Sequence, residues 1–210
     1  MRVLPSLLFA SLVVFTAPLA AAQQASTTGA ATALFDQAVK LMGDGKFSEA
    51  CPKLARSNEL SPNGGTLFAL AECYERNGQT ASAWVTYSEA AIRARAAGRA
   101  DAEKKATEAA TRLEPTVSKL AISVPATSDI AGLAVTLDGR PVTRAEWGTG
   151  TPIDPGPHKI EATAPGRLPA TQTVRFDFKA TQKAIRIAVL EIAPRVSPVR
   201  WRPRGGAPRE

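Results

Sequence analysis

The chain contains a single histidine, His158, and only two cysteines, Cys51 and Cys73. One imidazole excludes the two- and three-histidine metal sites, and two thiols exclude four-thiolate zinc centres and disulfide-dense mini-scaffolds. No G-x-S-x-G elbow occurs. The one glycine-rich stretch, Gly148-Thr149-Gly150-Thr151, is followed by Pro152 and Pro155, so no helix N-terminus follows it to hold a phosphate. His158, a lone imidazole beside a turn, reads as a structural or surface residue. Asp129, Asp138, Glu146 and Asp154 match no calcium-loop spacing and read as solvated turn carboxylates. With no nucleophile, base or metal set in view, the chain is expected to be non-enzymatic and to need no cofactor or metal.

What is present is unevenly placed. The formal charge is +7, but residues 31–97 carry seven basic and seven acidic side chains, whereas residues 194–210 carry five arginines against Glu210. A nearly neutral body with a basic end does not suit nucleic acid, which needs clustered Lys and Arg on a folded face. The tail, with Arg195, Arg200, Trp201, Arg202, Arg204 and Arg209 among prolines and glycines, is expected to be disordered and could touch a wall polymer or an anionic surface.

The first residues, MRVLPSLLFASLVVFTAPLAAA, give a positive start at Arg2, an uncharged apolar run from Val3, a break at Pro18 and small residues at Ala20 and Ala22. This pattern predicts a signal peptide over 1–22 with cleavage between Ala22 and Gln23; the alternative is an uncleaved N-terminal anchor. The mature chain is therefore expected to be exported, periplasmic or secreted, with residues 23–30 a disordered lead-in.

Between residues 31 and 97 the chain matches itself at an offset of 33: Leu34 with Leu67, Ala38 with Ala71, Leu41 with Tyr74, Gly45 with Gly78, Ala50 with Ala83, Leu54 with Tyr87. Each unit is an apolar helical stretch, a glycine break and a second helical stretch, which predicts helices at about 31–44, 47–60, 66–77 and 80–97. The alanines fall where two helices cross and only a small side chain fits. A further helix over 101–114 has a modest apolar stripe and caps the array. Leu67, Leu70, Ala71, Tyr74, Gly78, Ala83, Tyr87 and Ala90 fall on the pattern positions of the tetratricopeptide repeat, which this segment resembles. The resemblance implies a first-helix surface able to hold a peptide, to which Phe35, Val39, Met42, Phe68, Glu72 and Arg76 contribute. The alternative is that the two phenylalanines only pack against the capping helix or the next domain.

Cys51 lies 12 residues before Asn63, at the turn between the second and third helices, and Cys73 lies 10 after it. Both stand at nearly the same height of one helical hairpin, as a disulfide requires. Export favours oxidation, and the alternative is two buried free thiols.

After Glu114-Pro115 the period changes to two. Apolar alternation over 120–124, 133–137, 160–164, 174–178 and 185–189, with turns at Asp138-Gly139, Asp154-Pro155-Gly156 and Pro165-Gly166, predicts a small antiparallel β-sandwich over 119–193. The Asp-Gly turn, the Pro-Gly turn beside His158 and the Ala164-Pro165-Gly166 corner resemble the PEGA domain, and the combination with the leader and the helical half is similar to exported envelope proteins of myxobacteria. Trp147 either anchors a loop onto the sandwich or stacks a glycan. The expected architecture is thus α+β in two modules: tetratricopeptide-like hairpins with a capping helix over 31–118, then the sandwich. The expected role is protein or peptide binding, or scaffolding, in the bacterial cell envelope. The alternative is polysaccharide or cell-wall binding through the sandwich.

Overall fold

The computed structural model describes residues 19–194, with side chains from residue 27 onward. The leader up to residue 18 and the tail from residue 195 lie outside the described residues, and of Ala22 and Gln23 only the helical backbone is described. The chain is α+β: five helices are followed by two mostly antiparallel sheets, and it divides into two compact units at Pro115/Thr116.

The helices are α1 (Leu19–Gly43), α2 (Phe47–Leu60), α3 (Gly64–Arg76), α4 (Thr80–Ala96) and α5 (Ala100–Leu113), each packed on the next. Three of them end in the same way. At Gly45 (φ 74°), Gly78 (φ 78°) and Gly98 (φ 67°) the backbone turns left-handed. The following N–H then donates back to the last turn: Lys46 to Leu41 (2.8 Å), Gln79 to Tyr74 (2.9 Å) and Arg99 to Ala94 (2.9 Å). Glycine is needed there because a Cβ disfavours that conformation. α3 starts at Asn63, whose side-chain oxygen accepts from the N–H of Gly65 (2.7 Å) and Thr66.

The repeat alanines Ala38, Ala50, Ala71 and Ala83 are fully buried, as close helix crossing requires. Cys51 and Cys73 are joined by a disulfide with Cα atoms 5.6 Å apart, which ties α2 to α3. One expectation is corrected: α1 begins at Leu19, so residues 23–30 are helical and not a disordered lead-in. The run Ala20-Ala21-Ala22-Gln23-Gln24-Ala25 consists of good helix formers and extends the helix without a break.

The second unit holds β1 (Ser118–Ser123), β2 (Ala134–Leu137), β3 (Arg140–Pro141), β4 (Gly150–Ile153), β5 (Gly156–Thr163), β6 (Ala170–Phe176) and β7 (Gln182–Arg186). One sheet has the order β4-β1-β7 and the other β3-β2-β5-β6. Inward residues of both sheets, among them Leu120, Ile122, Val135, Leu137, Ile160 and Phe176, form one buried cluster. Two features depart from the sequence pattern. β4 occupies the stretch that reads as a glycine-rich loop. β1 and β7 run parallel, not antiparallel, pairing Leu120 with Lys183 and Ile122 with Ile185. No hairpin turn joins these two strands, and period-two alternation carries no direction, so the path of the intervening chain decides it.

Gly132 (φ 74°) shows a close approach: a Cβ there would lie 2.7 Å from the Pro165 ring, so the corner after β5 packs on it only because the side chain is missing.

Candidate functional site

The first-helix residues do not form one open aromatic groove. On α1, Phe35 and Met42 are half-buried against Ala38, Cys51, Leu54 and Leu70, while Val39 is 47% exposed. On α3, Phe68 meets Tyr87 edge to face, with centroids 5.3 Å apart. Glu72 and Arg76 are exposed, and the Arg76 guanidinium sits 5.7 Å from the Phe47 ring centroid. Phe35 and Phe68 therefore pack as core residues, yet each also lines a cavity. Phe35 borders one of about 250 Å³, Phe68 one of about 780 Å³, and Gly65 belongs to both.

The larger cavity lies where α3 starts, α4 ends and α5 starts. Ala90 and Ala94 of α4, with Ala97 and Gly98 after them, are too small to fill the space opposite Phe68. Arg93, Arg99 and Lys105 line it against one acidic residue, Asp101. Reasoning from the repeat confines contacts to first helices and so misses the α4–α5 wall. The Ala90-Ala94-Ala97-Gly98 run of small residues is the sequence signal for it.

A charge network joins the same three helices away from this cavity, near the C-terminal ends of α3 and α5. Arg112 of α5 donates two hydrogen bonds to Glu75 of α3 (2.7 and 3.0 Å), and the Tyr87 hydroxyl of α4 donates to the same carboxylate (3.1 Å). The Arg112 bond, opposed by burial and aided by Tyr87, holds Glu75 below the usual carboxylate range. Burial, then the Glu75 charge, pushes the Tyr87 phenol above its ordinary range. Glu72 is raised by burial and by its neighbour Glu75, with Arg76 offsetting part of this.

In the β unit, His158 is held on both sides. Its Nδ1 lies 2.6 Å from Asp138 Oδ2 and its Nε2 lies 2.8 Å from the Asp154 carbonyl oxygen. Both partners are acceptors, so a ring protonated on both nitrogens satisfies both bonds and a neutral ring only one. Asp138, at φ 51° in the β2–β3 turn, also accepts from the Lys159 N–H (2.8 Å). The turn carboxylates are therefore engaged rather than merely solvated. Asp129 pairs with Arg144. Glu146 accepts from the Thr143 N–H (2.8 Å) and pairs with Arg140 (2.8 Å). Those bonds, the Thr143 N–H first, bring Glu146 down to about 2.

Trp147 is half-buried against the sheet core with the Arg144 guanidinium 4.8 Å from its ring centroid. It packs the loop before β4 onto the sheet core, and the Arg144 guanidinium lies over one face of its ring.

Asp138 yields a pH prediction. Burial raises its pKa, but the His158 hydrogen bond, the Lys159 N–H and the His158 charge together bring it below the ordinary value. A depressed aspartate stabilises the fold fully above the unfolded value of about 3.9 and loses that contribution as pH falls through the folded value. The stability difference between the wild type and Asp138→Asn should therefore be largest above about pH 4 and shrink as the pH is lowered. Urea midpoints between pH 2 and 6 check this, and a difference that does not change with pH contradicts it.

Among the described residues no group of three or more His, Cys, Asp or Glu side chains could hold a metal ion. No helix among them is long and apolar enough to cross a membrane. No family model matches the chain, and no curated protein matches it significantly.

Proposed function

We propose that this chain is a non-catalytic protein- or peptide-binding scaffold of the bacterial cell envelope, built from tetratricopeptide-like hairpins and a PEGA-like sandwich. The observation that carries the reading is the cavity of about 780 Å³ beside Phe68, at the start of the helix that the repeat pattern assigns to the contact surface. Its volume lies within the roughly 300–1,000 Å³ of ligand pockets, and it is an open cleft between helix ends, with room for a few side chains of a partner. The Cys51–Cys73 disulfide supports an exported location, because such bonds persist in oxidising compartments. The sandwich serves in this reading as a spacer or attachment module.

A photo-crosslinking residue tests the reading. Placed at Lys105, on the cavity wall, it should give a discrete protein adduct in envelope fractions. Placed at Val85, which is exposed and outside both cavities, it should not. Adducts of equal yield at both positions, or none at Lys105, would count against a binding surface here.

A further inference from the structure

We infer that the Phe68 cavity selects acidic peptides: segments in which a carboxylate flanks an aliphatic or aromatic side chain. This rests on the peptide-binding reading above and names the class of peptide. The apolar part of the cavity is supplied by Phe68, Ala90 and Ala94, small side chains around one ring that leave space for an inserted apolar group. The charge at its mouth has one dominant sign. Of the three cations on its wall Arg93 is already paired with Glu89, as Arg56 is with Glu59, Arg95 with Glu103 and Arg112 with Glu75 in the same unit. Arg99 and Lys105 line the cavity and form no ion pair among the described residues, against the single acid Asp101, which forms none either.

An acid that enters would meet two exposed cations whose side chains are not already committed, beside an apolar floor that lowers the local dielectric. A basic peptide would meet repulsion at the same point. α3 and α5 start at the cavity and α4 ends there, so two positive helix ends face one negative end and the balance has the same sign as the cations. Complementary charge at a partly apolar cleft decides which peptide enters more than how tightly it is held.

A phage-displayed library of random dodecapeptides, panned against the full-length chain and against its Arg99→Glu/Lys105→Glu variant, tests this. Both side chains are exposed, so the variant should keep the wild-type circular dichroism and melting curve. Phe68→Ala serves as a second variant acting on the apolar floor. Peptides enriched on the wild type should carry Asp or Glu next to a large apolar residue. They should bind the double variant at least tenfold more weakly by fluorescence anisotropy and weaken as sodium chloride is raised from 50 to 300 mM. Amidated and free-acid versions of one enriched peptide show whether the carboxylate is a side chain or the chain terminus.

Enrichment of neutral or basic peptides, or of acidic ones indifferent to the double variant, overturns the inference and leaves the peptide-binding reading standing. No enrichment on the wild type overturns both.

Discussion

Replacing Cys51 and Cys73 together by alanine should cost the helical unit about 3 kcal/mol, the amount expected for a bridge closing a loop of this length. The sequence separation is 22, and both side chains are fully buried between α2 and α3. Alanine is the better replacement than serine, because a hydroxyl at either position would be buried without a designed partner. Since the chain has two compact units, a single melting temperature would mix them. Hydrogen exchange read by mass spectrometry separates them: protection should fall over 31–113 and stay unchanged over 118–190. Dithiothreitol on the wild type should reproduce the pattern. An equal loss in both units, or none in the helical one, would mean that the bridge does not hold the repeats together.

The second large effect belongs to the sheets. Phe176 ends β6 and is 2% exposed, edge to face with His158 at 6.1 Å and with the Lys183 ammonium 4.8 Å from its ring centroid. Phe176→Ala should destabilise the β unit by about 3–5 kcal/mol, through lost transfer energy and the cavity left behind. Phe176→Leu should lose clearly less, since it keeps most of the volume. That loss is a large share of the stability usual in small domains, about 5–15 kcal/mol in total. The His158–Asp138 contact should loosen with it, because the ring that braces the imidazole is gone. Urea unfolding followed by amide exchange over 134–176 checks both effects. A loss under about 1 kcal/mol would show that the cluster repacks around the gap.

The helical half was largely legible because its signals are local. The glycines at 45 and 78 supply a left-handed residue where a helix must stop, and α1 and α3 end just before them; Gly98, not read from the sequence as a stop, does the same for α4. Alanines at 38, 50, 71 and 83 occur at the offset that brings helices close, and all four are fully buried. The disulfide followed from nearly equal distances to the Asn63 turn, since rise per residue converts sequence position into height. The N-terminal limit of α1 was not legible: a polar, threonine-containing segment such as 23–30 is compatible with either coil or helix, and propensity alone decides weakly.

The residues of the cavity were legible in part. Phe68 stands at a repeat position, but Arg99 and Lys105 belong to none and come together only where three helix ends meet. The sheet unit followed the same division. Alternation placed Leu120, Ile122, Val135, Ile160 and Phe176 inside, and the structure puts them there, but Phe178 and Val189, which continue the same alternation, lie beyond the ends of β6 and β7 and are exposed. It did not show β4, whose Gly-Thr-Pro-Ile sequence alternates weakly, nor that β1 and β7 run parallel. His158 read as a lone residue until the fold set it between Asp138, 20 residues before it, and the Asp154 carbonyl.

By itself, then, the sequence determined the two-part architecture, the helix stops, most of the buried faces and the cysteine pair, because backbone conformation and periodicity depend on neighbours a few positions apart. Strand direction, the partners of His158, the covering of Trp147 and the charged cavity were decided only by the tertiary structure. Each depends on groups far apart in the chain or on space left unfilled, and neither distance nor empty volume is written in a residue's local preference.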